Sequence, residues 1–417
     1  MDNELLKHKY IEDLERNFLP FWEKSVDDTF GGVYTCYTNS GDDLISDRKY
    51  IWSQGRFLWL GCKLLQLKEQ GIIQLSEKWS HITDDTYSFL KNHALMRNHH
   101  VVFAVERNGE KIKDQMDTSI FADCFYVLGC NAYANLNNKV ETFEHVMLIY
   151  HTIKERISKN EFQSDPYPIP DGYLSHSIPM MLINVAQELY ETAKKLNAKE
   201  QFTLLSDIDT FFHDILYLQN SNRIIEMYSG DSSTLLERHM NPGHTVECAW
   251  FILHSLLYIE LENKEKHIKN VERIVKNAIT VGWDEKNGGI FRFVDKEGGR
   301  PQGKLIGTPF EELILESWDT KLWWPHSEAL YSTLLLYSLT NEQTWIEKYK
   351  KVETYVFNTF PNENEEIGEW IQIRDRTGRP INQIVALPVK DPFHIIRAYI
   401  KIIELLEGSE NFATRIT

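Results

Sequence analysis

The feature that most restricts what this chain can become is an alternation between charged amphipathic helices and helices that are apolar almost all round. Charged segments at 5–19, 75–95, 140–158, 204–218, 266–281 and 344–357 alternate with far more apolar ones at 50–67, 119–134, 177–196, from 244 onward, 323–339 and 392–406. An amphipathic helix keeps one face in water, whereas a helix apolar on every side must be covered on every side. Six covered helices inside six half-exposed ones make a closed double ring, so the sequence predicts an all-α fold, an (α/α)6 barrel of six helical hairpins. The apolar members begin near residues 52, 119, 178, 243, 323 and 393. Their spacing of about 60 to 80 residues is too long for solenoid repeats of about 20 to 50. It suits a helical hairpin whose arms are joined through a short β hairpin excursion. Such excursions are read at 31–42, 99–108, 229–231, 288–294 and 377–378, where alternating or turn-forming residues interrupt the helical period. No linker or low-complexity stretch divides the 417 residues, so one catalytic barrel domain spanning 1–417 is expected.

In a ring of antiparallel hairpins every inner helix starts at the same end, and residues at those starts converge on one cleft. They are Gln54 and Arg56; Asp123; Met180 and Asn184; His244 and Glu247; His326 and Glu328; His394 and Arg397. Asn241-Pro242-Gly243 is a turn that sets His244 where a loop becomes a helix, and Glu247, three residues on, shares its face and is read as orienting the imidazole. Pro392 suits a first helical turn and places His394 just inside it. Two readings of Arg56 are open: a fixed cation facing a developing oxyanion, or an arginine stacked on Trp52 for packing. Trp323 and Trp324 beside Asp319 and Glu328 suit a carbohydrate platform, with Trp323 and Glu328 placed in the site. His326 and Glu328 are two apart and cannot share a face, so His326 is assigned bonds outside the cleft.

A net charge of -16 repels phosphate backbones and anionic lipid, which excludes nucleic acid and membrane surfaces as partners. The first ten residues carry scattered charges and no signal-like apolar run, so a cytoplasmic location is expected. Cys36, Cys62, Cys124, Cys130 and Cys248 include no Cys-x-x-Cys pair and are read as reduced, buried thiols, with no metal. Gly298 to Leu305 nearly spells a phosphate-binding loop, but Leu305 stands where a hydroxyl should be, and Gly307-Thr308-Pro309 is read as preventing the helix that must follow.

Four strings resemble the N-acylglucosamine 2-epimerase family: Trp52-Ser-Gln-Gly-Arg56, Asn241-Pro-Gly-His-Thr-Val-Glu-Cys-Ala-Trp250, Trp318-Asp-Thr-Lys-Leu-Trp-Trp-Pro-His-Ser-Glu-Ala-Leu330 and Pro392-Phe-His-Ile-Ile-Arg397. The likeness runs from about Gly31 to Arg397. The run from His176 to Glu188 looks like the acylglucosamine branch rather than the cellobiose branch. What the resemblance implies is an (α/α)6 barrel that interconverts N-acetylglucosamine and N-acetylmannosamine, with His244 and His394 as its two acid/base histidines and Arg56 and Glu328 among its other site residues. It also implies a small-molecule amino sugar as partner, a homodimer, and ATP as an allosteric activator with no cofactor required for the chemistry. Asp391-Pro392 and Ile395-Ile396 depart from the family pattern around His394. Inverting C2 of an opened aldose needs a base on one face and an acid on the other, both titrating near neutral pH, which two histidines provide. The rival readings are a mannose or cellobiose 2-epimerase or aldose-ketose isomerase, an inverting glycosidase using Glu328 and Asp123, and a non-enzymatic protein binder.

Overall fold

A computed structural model describes residues 2–408. The ends of the expected 1–417 span, residue 1 and residues 409–417, lie outside the described residues. Twelve long helices follow in order: α1 (Asn3–Asp13), α2 (Ile51–Glu69), α3 (Lys78–His93), α4 (Ile120–Asn137), α5 (Val140–Ser158), α6 (Ser177–Lys195), α7 (Gln201–Tyr217), α8 (Pro242–Ser255), α9 (Lys264–Gly282), α10 (Trp323–Thr340), α11 (Gln343–Thr359) and α12 (Phe393–Glu407). The even-numbered helices form the inner ring: α2 packs on α4, α4 on α6, α6 on α8, α8 on α10, α10 on α12, and α12 on α2 again. Helices α3, α5, α7, α9 and α11 each cover the inner helix before them. The first helix closes the outer layer against the last, joined by Lys7 to Glu407 at 2.7 Å.

Helix patterning explains which layer each segment takes. In α9 the buried positions Ile268, Val271, Ile274, Val275, Ala278 and Ile279 fall on one stripe, the signature of an outer helix. In α4 nearly every residue from Ile120 to Ala134 is buried, as a helix covered on both sides must be. Gly55 and Gly129 let α2 and α4 pass backbone to backbone, because a Cβ on Gly55 would collide with the Phe125 carbonyl and one on Gly129 with that of Gly55. Helix α1 runs on through a π-turn, Leu14–Phe18, into Leu19–Lys24, where Pro20 removes the N–H that a regular helix needs.

Local bridges such as Leu95–Val101 and Trp283–Ile290 close the excursion hairpins. Two-residue antiparallel ladders then tie neighbouring excursions together. Lys49–Tyr50 pairs with Ala104–Val105, Leu174–Ser175 with Met227–Tyr228, His239–Met240 with Val294–Asp295, and Lys321–Leu322 with Ile373–Arg374. Each of these ladders begins just before an inner helix, so together they brace the helix starts that form the mouth of the ring.

One expectation fails here. Gly307-Thr308-Pro309 does not prevent a helix: Pro309–Ser317 is helical, with Pro309 at a position where no N–H is needed and Thr308 and Glu311 closing a capping box. The glycine-rich turn before it is tied down differently, the carbonyl of Lys304 accepting from the Leu235 N–H at 2.9 Å.

Candidate active site

The start of α8 is built by its own sequence. Asn241 accepts a hydrogen bond from the His244 N–H at 3.2 Å, and Pro242 occupies the first turn. Gly243 leaves room for the Trp324 ring, which a Cβ at that position would strike. The Trp324 indole lies 5.3 Å from the imidazole of His244 and 5.5 Å from that of His394, centre to centre. The two imidazoles therefore stand no further apart than the sum of those distances. Reacting atoms approach at about 3 to 3.5 Å on each face of a carbon, and that requirement fits within the limit.

Each imidazole is held by a carboxylate. His244 Nδ1 lies 3.0 Å from Glu226 Oε2, and His394 Nδ1 lies 2.7 Å from Glu328 Oε1. An ionised carboxylate only accepts, so each Nδ1 carries the proton and each Nε2 is left to act as base, or as acid once protonated. The Arg397 Nη2 at 3.2 Å from His394 Nδ1 is then a close approach rather than a hydrogen bond. Burial pulls the His244 pKa down, but Glu226 and, more weakly, Glu247 overcome it and leave the value raised. Burial brings His394 down to about 3; Glu247 opposes this, while the positive charges of Arg56 and Arg397 reinforce it. Burial disfavours the charged form of Glu226, yet its two histidine neighbours hold its pKa well below the usual carboxylate range.

This arrangement corrects the role read for Glu247. It does not orient His244. It pairs with Arg397, which also binds Glu328 at 2.6 Å, because a guanidinium across the ring is a stronger partner than an imidazole three residues away. Glu226 orients His244 instead. It comes from the excursion ahead of Met227–Tyr228, where no motif marks it. Its other oxygen faces the buried His176 Nδ1 at 3.6 Å.

The remaining expected residues divide into cavity wall and support. Arg56 meets Asp391 at 2.5 Å and packs over Phe125 at 4.1 Å and Trp52 at 5.0 Å, so it is both stacked and on the cavity wall. Asn184, Trp323, Arg397, His244, Glu247 and His394 also line the cavity. Glu328 is fully buried behind His394 and accepts from Trp250 Nε1 at 2.8 Å. Gln54 is placed differently from the expectation: its side chain makes two 2.8 Å bonds to the backbone of Val33, which use up its amide and anchor the first excursion. His326 lies outside the cleft, donating to the Leu322 carbonyl and accepting from the Ile290 N–H at 2.8 Å. Asp123 is buried against Arg156 at 3.1 Å, away from the cavity wall, which removes one of the two carboxylates a glycosidase reading requires.

By spacing alone, His176, Glu226 and His244 could hold a metal ion, as could Glu247, Glu328 and His394. In the second set Arg397 already pairs with both carboxylates, and in the first Glu226 is paired with His244. The cavity measures about 190 Å³. No helix among the described residues is long and apolar enough to cross a membrane.

The chain is 29% identical to N-acylglucosamine 2-epimerase of Mus musculus over 411 residues, covering 94% of this chain and 89% of the relative. It is 22% identical to a cellobiose 2-epimerase of Dictyoglomus turgidum, covering 97% of this chain and all of the relative. Its fold matches that of cellobiose 2-epimerase from Bacillus thermoamylovorans with a TM-score of 0.77 at 18% identity, over 96% of this chain and 99% of that one. The sequence profile of N-acylglucosamine 2-epimerase matches residues 32–398, and with nearly the whole barrel inside that match the chain belongs to the N-acylglucosamine 2-epimerase family.

Proposed function

We propose that this protein is a carbohydrate 2-epimerase that interconverts N-acylglucosamine and N-acylmannosamine by removing and returning the proton at C2 of the ring-opened sugar. The observation that carries the reading is the pair of imidazoles around one cavity, each with Nδ1 fixed by a carboxylate and Nε2 left for chemistry. With C1 as an aldehyde, loss of the C2 proton gives a planar enediolate. One imidazole takes the proton from one face while the other, protonated, supplies one to the opposite face. Arg56 faces the oxygen on which negative charge develops, and Arg397 and Asn184 bind sugar oxygens. Trp323 and Trp324 offer aromatic faces to the sugar.

The chemistry as written uses no cofactor. We take the chain as one domain over 1–417 and as cytoplasmic, and the homodimer and activation by ATP are proposed on the family resemblance alone. Incubation with N-acetylmannosamine in deuterated water tests the reaction, with deuterium expected at C2 of both epimers. His244→Asn and His394→Asn should each abolish epimerisation while preserving the helical circular dichroism, and each variant should still exchange the C2 proton of only the epimer that the remaining imidazole faces. Parallel incubations with mannose and cellobiose separate this reading from the 2-epimerase or isomerase alternatives on the same barrel.

A further inference from the structure

Among the described residues three arginines line the cavity, and two of them face carboxylates: Arg56 faces Asp391, and Arg397 faces Glu247 and Glu328. Arg292 does not. It is 3% exposed, and its side-chain hydrogen bonds among the described residues go to two neutral hydroxyls, Ser317 Oγ and Tyr167 Oη, each at 3.0 Å. No ion pair is formed by Arg292 among the described residues. A guanidinium removed from water without a counter-charge is costly to the fold. Its surroundings form a lobe of the cavity made by the excursions rather than by the inner-helix mouths. Tyr167, Met227, His239, Phe293 and Phe310 line it, with Phe310 5.3 Å from Tyr167, 5.6 Å from His239 and 6.1 Å from Phe293. His239 is no counter-ion: its Nδ1–H donates to the Leu236 carbonyl at 2.6 Å, and burial lowers its pKa.

We propose that this lobe is a carboxylate subsite, in which the Arg292 fork receives a carboxylate carried by the sugar while the aromatic wall packs against the carbon next to it. The proposal rests on the epimerase reading and names the class of sugar that site prefers. A planar fork matches a carboxylate through two parallel bonds. One unpaired positive charge balances one negative charge. A phosphate monoester carries about -1.5 to -2 near neutral pH, which leaves part of its charge unmatched in a cavity that Glu226 and Glu247 also line. The carboxylate can sit at C6, as in a uronate, or at the end of the N-acyl group.

The test compares four sugars: N-acetylmannosamine, N-acetylmannosaminuronate, N-succinylmannosamine and N-acetylmannosamine 6-phosphate. One of the two carboxylated sugars is expected to show kcat/KM roughly 10- to 100-fold above N-acetylmannosamine, the scale of a charge-assisted hydrogen bond, and which of them does so locates the carboxylate. Arg292→Met should erase that ratio, and Arg292→Lys, which keeps the charge and loses the fork, should reduce it. The proposal is overturned if neither carboxylated sugar exceeds the neutral one, if the 6-phosphate exceeds both, or if the ratio survives in Arg292→Met. Should Arg292→Met fail to fold, the wild-type ratios and Arg292→Lys decide by the same criteria. Should no sugar be epimerised, the epimerase reading fails, and calorimetric binding of the same four sugars to the wild type and Arg292→Lys decides the subsite separately: a carboxylate preference weakened by lysine supports it, and equal affinities refute it.

Discussion

Replacing Glu226 by Gln tests the electrostatic design of the site most directly. The side chain keeps its shape and can still accept from His244 Nδ1 at 3.0 Å, but it loses its charge. A hydrogen bond to a charged group contributes about 1.5 to 3 kcal/mol and a neutral one about 0.5 to 1.5. The difference of about 1 to 1.5 kcal/mol corresponds to about one pKa unit on His244. Burial lowers that pKa and Glu226 is its main opposing influence, so the shift is downward, with Glu247 the weaker support that remains. The limb of the kcat/KM profile set by His244 should therefore move about one unit toward lower pH. Initial rates from each epimer between about pH 5 and 9 measure it. The equilibrium constant of the reaction fixes the ratio of kcat/KM in the two directions, so at a given pH both should change by the same factor. A limb that stays in place, or moves up, refutes the reasoning. The pair also carries a stability signature. The raised His244 pKa stabilises fully below its ordinary 6.5 and is lost as pH rises through the folded value. The lowered Glu226 pKa stabilises above its ordinary 4.5 and is lost as pH falls through the folded value. The wild type should therefore exceed the variant in stability most between those two ordinary values.

Glu328→Gln removes the charge that holds the His394 Nδ1–H and half of the clamp on Arg397; kcat should fall by on the order of 10²-fold, the lower range of a general acid–base contribution, with a smaller change in KM, as steady-state rates will show. Gln54→Leu strands the Val33 N–H and carbonyl, so chemical denaturation should show a loss of about 1 to 3 kcal/mol, while pH dependence and substrate preference stay put in the rate profile.

The barrel was legible because its cause is local: a helix apolar on all sides, as α4 is, can only be an inner one, and a single-stripe helix such as α9 can only be an outer one. The histidines were legible for the same reason, since Asn241-Pro242-Gly243 and Pro392 mark helix starts and the ring brings all starts to one end. What the sequence hid are the partners chosen across space. Glu247 sits at the right interval to serve His244, yet Arg397 from α12 takes it, and Glu226 arrives from an excursion held by the ladder to Leu174–Ser175 and by the His176 N–H, which donates to the Glu226 carbonyl. Gln54 shares the mouth of α2 with Arg56 but turns outward to Val33, because a buried amide goes where backbone groups can satisfy it. Helical spacing gives the face a side chain can occupy. It does not say which of several charged neighbours in that space binds first.

The two histidines are built alike in hydrogen bonding and apart in charge. Each has a carboxylate on Nδ1, but Arg397 binds Glu328 and Glu247 and stands beside His394, so the positive charge that imidazole needs to avoid is already present. Glu226 has no arginine or lysine ion pair among the described residues; His176 and His244 face it. The resting site therefore holds a neutral imidazole on one side and one disposed to be protonated on the other, both beside the Trp324 ring. Two groups with pKa values pushed apart divide into base and acid without a metal ion to enforce the division. An epimerase must run both ways, so each turnover leaves the proton on the imidazole that began without it. Return to the resting state then requires proton exchange with water through the open mouth of the ring. A net solvent isotope effect on turnover that persists at saturating sugar, beyond the effect on C2 transfer itself, is the expected mark of that exchange.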